Sequence, residues 1–232
     1  FRAPDAPVVL ADNGGGTSRI QTVDYIDGAG GTDVMRGVLQ ATQAPELISV
    51  ENIFLEPANC DAKLDLSNAS GYEQLWGQNL HNNTNNLTYS NIDTTDVTIG
   101  LRNTEESSDD HQLIASFNDT VLEGSTDEVS ISLEDNEGTM SDQYADLIVT
   151  TDIQTGNAGA DDGAETLSVD VSGENYLNSL QSWDDADEDT ALETLNITGE
   201  GSFELYDDSQ NLFRSHAARY GSSDITENMM NP

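Results

Sequence analysis

Positive charge is what this sequence most conspicuously lacks. Seven Lys and Arg residues face 44 Asp and Glu in 232 residues, for a formal net charge of -37, and Lys63 is the only lysine. A surface of that sign repels phosphate backbones and anionic lipid heads, and no basic patch offsets it, which excludes nucleic-acid and membrane-surface partners. Cysteine is nearly absent too: Cys60 is alone, so no intrachain disulfide can staple the fold. No apolar run approaches the roughly 20 residues that a membrane-spanning helix needs. The first residues, Phe1-Arg2-Ala3-Pro4-Asp5, lack the basic and apolar regions of a signal peptide. An exported chain would have lost its signal before Phe1, or carry it elsewhere in a longer precursor.

Catalytic patterns are missing as well. His81, His111 and His216 are far apart and show no H-E-x-x-H spacing. Neither a G-x-S-x-G elbow nor a phosphate-binding lysine loop occurs. Carboxylate pairs are so common that they say nothing about glycosidase-type chemistry. The expectation is a protein that is not an enzyme.

What is present is a β-type pattern. Hydrophobic residues make up 35% of the chain, which opposes wholesale disorder. They alternate with polar ones in SVENIFLE, KLDLSN, DVTIGL, EVSISLE, TLSVDV, TLNIT and SFELY, and LTY and DLIV are shorter apolar runs. Alternation buries one face of a strand and exposes Asp, Ser, Thr and Asn on the other. These runs recur every ~10 to 16 residues, a spacing that fits a parallel β-solenoid-like stack or a β-sandwich. Short helices are predicted at Tyr72 to Asn79, Tyr176 to Trp183 and Asn211 to Arg219. The chain divides into an N-terminal leader strand and Gly-rich turn (residues 1–22), a β-repeat domain (23–210) and a C-terminal segment (211–232). A short repeat favours the stack: Glu51, Ile53 and Leu55 match Glu165, Leu167 and Val169, and again Glu193, Leu195 and Ile197. Five N-x-S/T sequons, beginning at Asn68, Asn82, Asn86, Asn118 and Asn196, matter only in a source that glycosylates its surface proteins.

The segment DYIDGAGGTDVM, residues 24–35, sets acids among glycines. Calcium takes six to eight oxygen ligands at about 2.3–2.6 Å, so a chain that binds it must turn tightly and present both carbonyls and carboxylates. Glycine permits such a turn. A Rossmann phosphate loop starting at Gly28 would need glycine where Asp33 stands. The segment Gly28-Ala29-Gly30-Gly31-Thr32-Asp33-Val34-Met35 follows G-G-x-G-x-D-x-U, with Ala29 in place of the second glycine. In this it resembles the RTX calcium-binding nonapeptide. With APELISVENIFLE and KLDLSNASGYEQL, it is similar to repeat regions of RTX-related bacterial S-layer proteins and large surface adhesins. That resemblance covers residues 23 to about 77 best and extends loosely through AETLSVDVSG and LETLNITGEGSFEL. It implies a parallel β-solenoid with Ca2+ in its turns, type I export and assembly at the cell surface. By the same resemblance Asp33 is the ligand aspartate and Gly28 and Gly31 the turn glycines, with Asp27 the acid just before the turn. A toxin-type roll would carry many tandem nonapeptides, and this chain has one.

A second acidic cluster, Trp183 to Thr190, sets Asp185, Asp187 and Asp189 at alternate positions, as metal-binding loops do. Thr190 and Asn196 stand where an EF-hand needs glycine and glutamate, so a calcium site here would be built otherwise. The expected function is an extracellular, calcium-dependent structural protein that associates with itself into a surface layer or filament. The alternative is an adhesin or virion decoration module that binds glycans or a host surface. Hypersaline adaptation is a separate explanation of the acidity, in which salt in general, and not calcium, supports folding.

Overall fold

Within the described strands every pairing is parallel, and it is the alternation of buried and exposed residues that sets which side faces in. The computed structural model describes residues 20–80, 86–104, 111–118, 120–136, 145–151, 163–177, 179–183, 192–205 and 228–229. A first coil consists of β1 (Tyr25–Asp27) and β2 (Val34–Gln43), a second of β3 (Glu46–Ile48) and β4 (Asn52–Asp65). The third has β5 (Ala69–Ser70), β6 (Gln74–Gln78) and β7 (Leu87–Ile92). Then β8 (Thr98–Arg102) is followed by β9 (Gln112–Phe117), and β10 (Glu128–Asn136) by β11 (Asp146–Thr151). Next come β12 (Thr166–Leu177) and β13 (Ser179–Trp183), then β14 (Thr194–Gly199), β15 (Ser202–Leu205) and β16 (Asn228–Met229). Thirteen strands form one curled sheet, because β2 and β4 each run through the bend and pair on both of its sides. A short sheet, β1-β3-β5, lies apart from it.

The stack is all-β and solenoid-like. Met35, Ile53, Leu75, Ile99, Ile131, Val169, Ile197 and Met229 occupy one column, so successive coils take 18, 22, 24, 32, 38, 28 and 32 residues. Coil length varies while this column stays in register, and the register shifts at bulges within the β2–β4, β7–β9 and β10–β12 pairs. A second column, Leu64, Tyr89, Ala115, Val149 and Ser182, is buried on the other side of the bend. The Tyr89 hydroxyl crosses the interior to donate to the Trp76 carbonyl at 2.8 Å, and full burial raises its pKa. The Ser182 hydroxyl accepts the Ala164 N–H at 3.0 Å. These two bonds satisfy polar groups that would otherwise be buried alone. All-parallel pairing rules out the antiparallel β-sandwich.

Two predicted helices are strands. Residues 72–79 contain β6, and residues 176–183 contain the end of β12 and all of β13. Leu75 points into the core while Trp76 is covered on the outer face by Phe54 stacked at 5.6 Å, so two adjacent apolar residues mimic a helical stripe. Leu177 ends β12 and Leu180 lies in β13, and both are buried although they stand three apart. The predicted helix at 211–219 and most of the leader, residues 1–19, lie outside the described residues.

At the corner formed by the end of β10 the register with β12 shifts between Glu134 and Asn136. Asn136, fully buried, fills this corner and donates to Leu101 O at 2.9 Å and to Asn175 Oδ1 at 2.8 Å. Its own Oδ1 accepts the Thr104 hydroxyl at 3.0 Å. One side chain thus ties three consecutive coils.

Candidate metal-binding turn

The turn between β1 and β2 is set by two left-handed residues, Ala29 at φ 69° and Gly31 at φ 106°. For alanine this conformation costs roughly 1–2 kcal/mol. The exposed Asp27 supports it, its Oδ1 accepting the Ala29 N–H at 2.8 Å in an Asx turn. Gly28 is buried, and its N–H donates to Ile48 O at 2.8 Å in the next coil. A Cβ on Gly28 would lie 1.7 Å from Ser49 O and 2.9 Å from Asp33 Oδ2. A carbonyl and a carboxylate oxygen therefore converge on one point that only glycine leaves free. Gly30, by contrast, has nothing within 4 Å of a Cβ.

Asp33 is 2% exposed. Its N–H donates to Glu51 Oε2 at 2.6 Å, and its carbonyl accepts the Asn52 N–H at 3.0 Å. The turn thus brings Asp33 and Gly28 together, while Asp27 stays on the exposed limb as a backbone cap and Gly31 serves the turn by its conformation. Asp185, Asp187 and Asp189 lie outside the described residues. Among the described residues no three His, Cys, Asp or Glu side chains gather as a metal-binding group. An oxygen-seeking cation at Gly28 would take one carboxylate and one carbonyl oxygen and fill the rest of its shell with water, which makes a weak site.

Glu51 and Ser49 belong to this site, and the signal for them is a repeat other than the E-x-L-x-V one. Counting back from the contact of Asp33 with Glu51, and of Glu51 O with Glu73 N–H at 2.8 Å, aligns Gly31, Ser49 and Gly71. All three have positive φ, 106°, 51° and 77°. Gly31-Thr32-Asp33, Ser49-Val50-Glu51 and Gly71-Tyr72-Glu73 are therefore one turn built three times: a small left-handed residue, a spacer, and an acid that opens the strand. Ser125-Thr126-Asp127 and Gly163-Ala164-Glu165 follow the same order. There Glu165 Oε2 accepts the Asp127 N–H, again at 2.6 Å. Asp127 Oδ2 lies 3.2 Å from a Cβ position on Gly124, much as Asp33 Oδ2 lies near Gly28. Burial raises the pKa of Glu165; the backbone N–H groups of Asp127 and Glu165 oppose that, and the charges of Asp127 and Glu193 add to it. In the E-x-L-x-V repeat, Glu165 and Glu193 do stack in register, while Ile53 aligns with Val169, two residues out of step with the sequence match.

No family model, curated protein or solved structure matches this chain.

Proposed function

We propose that this chain is an extracellular structural module whose stack of coils associates with further copies into a surface layer or filament, with calcium as the neutralising ion. The observation that supports this reading most is the stacking of strand-opening acids. Asp33, Glu51 and Glu73 follow one another on consecutive coils, as do Asp127, Glu165 and Glu193. Folding thereby brings like charges to neighbouring rungs, about 4.8 Å apart. Backbone N–H groups compensate part of this repulsion, and a divalent cation at the Gly28 turn would compensate more. The RTX-like turn sequence points to the same ion. Calcium would act twice, closing turns within a subunit and bridging carboxylates between subunits.

Melting curves in 10 mM calcium, in chelator, and in potassium chloride of matched ionic strength test the proposal. A site of the weak extracellular kind, with Kd about 0.1–1 mM, stabilises by about 1.4–2.7 kcal/mol at that concentration. For a chain of this size the expected rise in Tm is about 3–10 °C. Light scattering on the same samples should show particles larger than a monomer when calcium is present. Equal protection by potassium chloride would replace calcium with general salt screening, and a monomer under all conditions would refute assembly.

A further inference from the structure

We infer that the outer face of β2, β4, β6 and β8 carries a docking site for carboxylates on a second copy of this chain; the inference rests on the self-assembly reading above. The seven Lys and Arg residues include three among the described ones, Arg36, Lys63 and Arg102, and two of these converge here. Arg36 and Arg102 hold their guanidinium carbons 4.1 and 4.4 Å from the same ring centroid, that of Phe54. Phe54 in turn stacks on Trp76, with ring planes 16° apart. The indole lies flat on Gly100, where a Cβ would fall 2.1 Å from Trp76 Cδ2, so the glycine is the floor of the platform. Both rings point away from the core, and the guanidiniums cover them, leaving Phe54 8% and Trp76 4% exposed.

The two arginines are held in place by packing. Both reach Gln78 Oε1, Arg102 Nη2 at 2.9 Å and Arg36 Nη1 at 3.5 Å. The facing carboxylate is that of Glu134, 3.8 Å from Arg102 Nη1. Two like charges are thus fixed side by side over an aromatic plate, sharing one neutral oxygen, with one carboxylate at the rim. Stacked guanidiniums keep a planar fork of donors that suits a carboxylate, and an anion between them relieves their mutual repulsion. Charge complementarity names the occupant. A chain with 44 Asp and Glu residues and a net charge of -37 offers many carboxylates, and association places one acidic copy against the arginine pair of another. Such a contact is heterologous, acid turn to arginine face, and a heterologous contact that does not close on itself propagates as a filament or layer.

The test is sedimentation velocity of the full chain, wild type against Arg36→Gln/Arg102→Gln, across protein concentration with calcium present. The double variant should need at least tenfold more protein to assemble while keeping its circular dichroism spectrum. Assembly of the variant at wild-type concentrations overturns the docking site and leaves the self-assembly reading standing. A wild type that is monomeric under every condition overturns both. Arginine-dependent retention of a monomeric wild type on immobilised heparin would make the occupant an anionic glycan and overturn the second copy. If the Gln pair fails to fold, Arg36→Lys/Arg102→Lys carries the test, because it keeps the charge and loses the fork. Assembly weakened about threefold or more is expected, and assembly equal to wild type overturns the site.

Discussion

Replacing Asn136 with alanine should break the stack at its middle. The side chain is fully buried and makes three short contacts, to Leu101 O, Asn175 Oδ1 and the Thr104 hydroxyl, at 2.9, 2.8 and 3.0 Å. Alanine removes all of them. The Asn136 N–H still reaches Asn175 Oδ1 at 3.3 Å, and the Thr104 hydroxyl can rotate, so the loss is less than three full penalties. At about 1–3 kcal/mol for each buried polar group left without its partner, the expected cost is about 3–5 kcal/mol. For a chain of this size that lowers Tm by about 6–20 °C. Asn136→Asp refines the argument. It keeps the shape, but its carboxylate would face two acceptors, Leu101 O and Asn175 Oδ1, so it should be worse than alanine at neutral pH. In acid it regains a proton to donate and should recover. Urea unfolding followed by circular dichroism, at fixed salt and calcium, measures both variants. Coils stabilise one another mainly through their shared interfaces, so the damage should be local. Hydrogen exchange should speed up in β8, β10 and β12 and stay slow in β2 and β4. Both variants falling within 0.5 kcal/mol of wild type would show that the corner tolerates rearrangement and that the buried amide is not what ties the coils.

Gly28→Ala and Gly30→Ala form a matched pair. The first puts a methyl 1.7 Å from the Ser49 carbonyl and should cost about 3 kcal/mol or more, while the second meets nothing within 4 Å and should stay within about 0.5 kcal/mol, as read by the same urea curves. Glu165→Gln tests the carboxylate stack. The folded pKa of Glu165 is raised, so the folded state binds more protons than the unfolded one between the two values, and its charge lowers stability as pH rises through that window. The glutamine variant still accepts the Asp127 N–H and should be the more stable protein at pH 7, with the difference closing at pH 4 and below. A variant less stable than wild type at pH 7 would mean that the charge itself holds the Asp127 turn.

The strands that sequence reveals are those with one buried face. EVSISLE, TLSVDV and TLNIT alternate because their outer residues meet solvent, and they appear as β10, β12 and β14, while DVTIGL keeps the alternation as β8 because its covered outer residue is Gly100, beneath the Trp76 indole. Where both faces are covered the alternation fails: Leu75 and Trp76 in β6 are adjacent and both buried, and the pattern resembles a helix. Gln112–Phe117, with Ala115, Ser116 and Phe117 all buried, is a strand that alternation does not mark for the same reason. At the candidate site, Gly28 and Asp33 are legible because glycine beside acid implies a tight turn. Ser49 and Glu51 are not, since they come from the next coil, and only register places them. The small-x-acid repeat is present in sequence, but with 18, 22 or 38 residues between coils no fixed period exposes it.

Register also accounts for how so acidic a chain can stack in parallel at all. In-register strands set equivalent residues about 4.8 Å apart, where two carboxylates in water repel by about 0.9 kcal/mol, and more where water is partly excluded. A column of acids along several strands would multiply that cost. Among the described pairings, no Asp or Glu within a strand stands opposite another. One outer column reads Asn52, Gln74, Thr98, Ser130, Ser168, Asn196 and Asn228, all neutral. Asp170 sits between Ser132 and Thr198, Asp146 between Gln112 and Ser179, and Glu134 between Arg102 and Ser172. The acids that do stack are those one position before a strand begins, where a backbone N–H of the neighbouring coil meets the carboxylate, as Asp33 N–H meets Glu51 and Asp127 N–H meets Glu165. Acids within the described strand ladders are thus kept from facing one another, and like charges meet at turns. The ladders are spared that like-charge cost, and the turns hold the repulsion that a counter-ion would relieve.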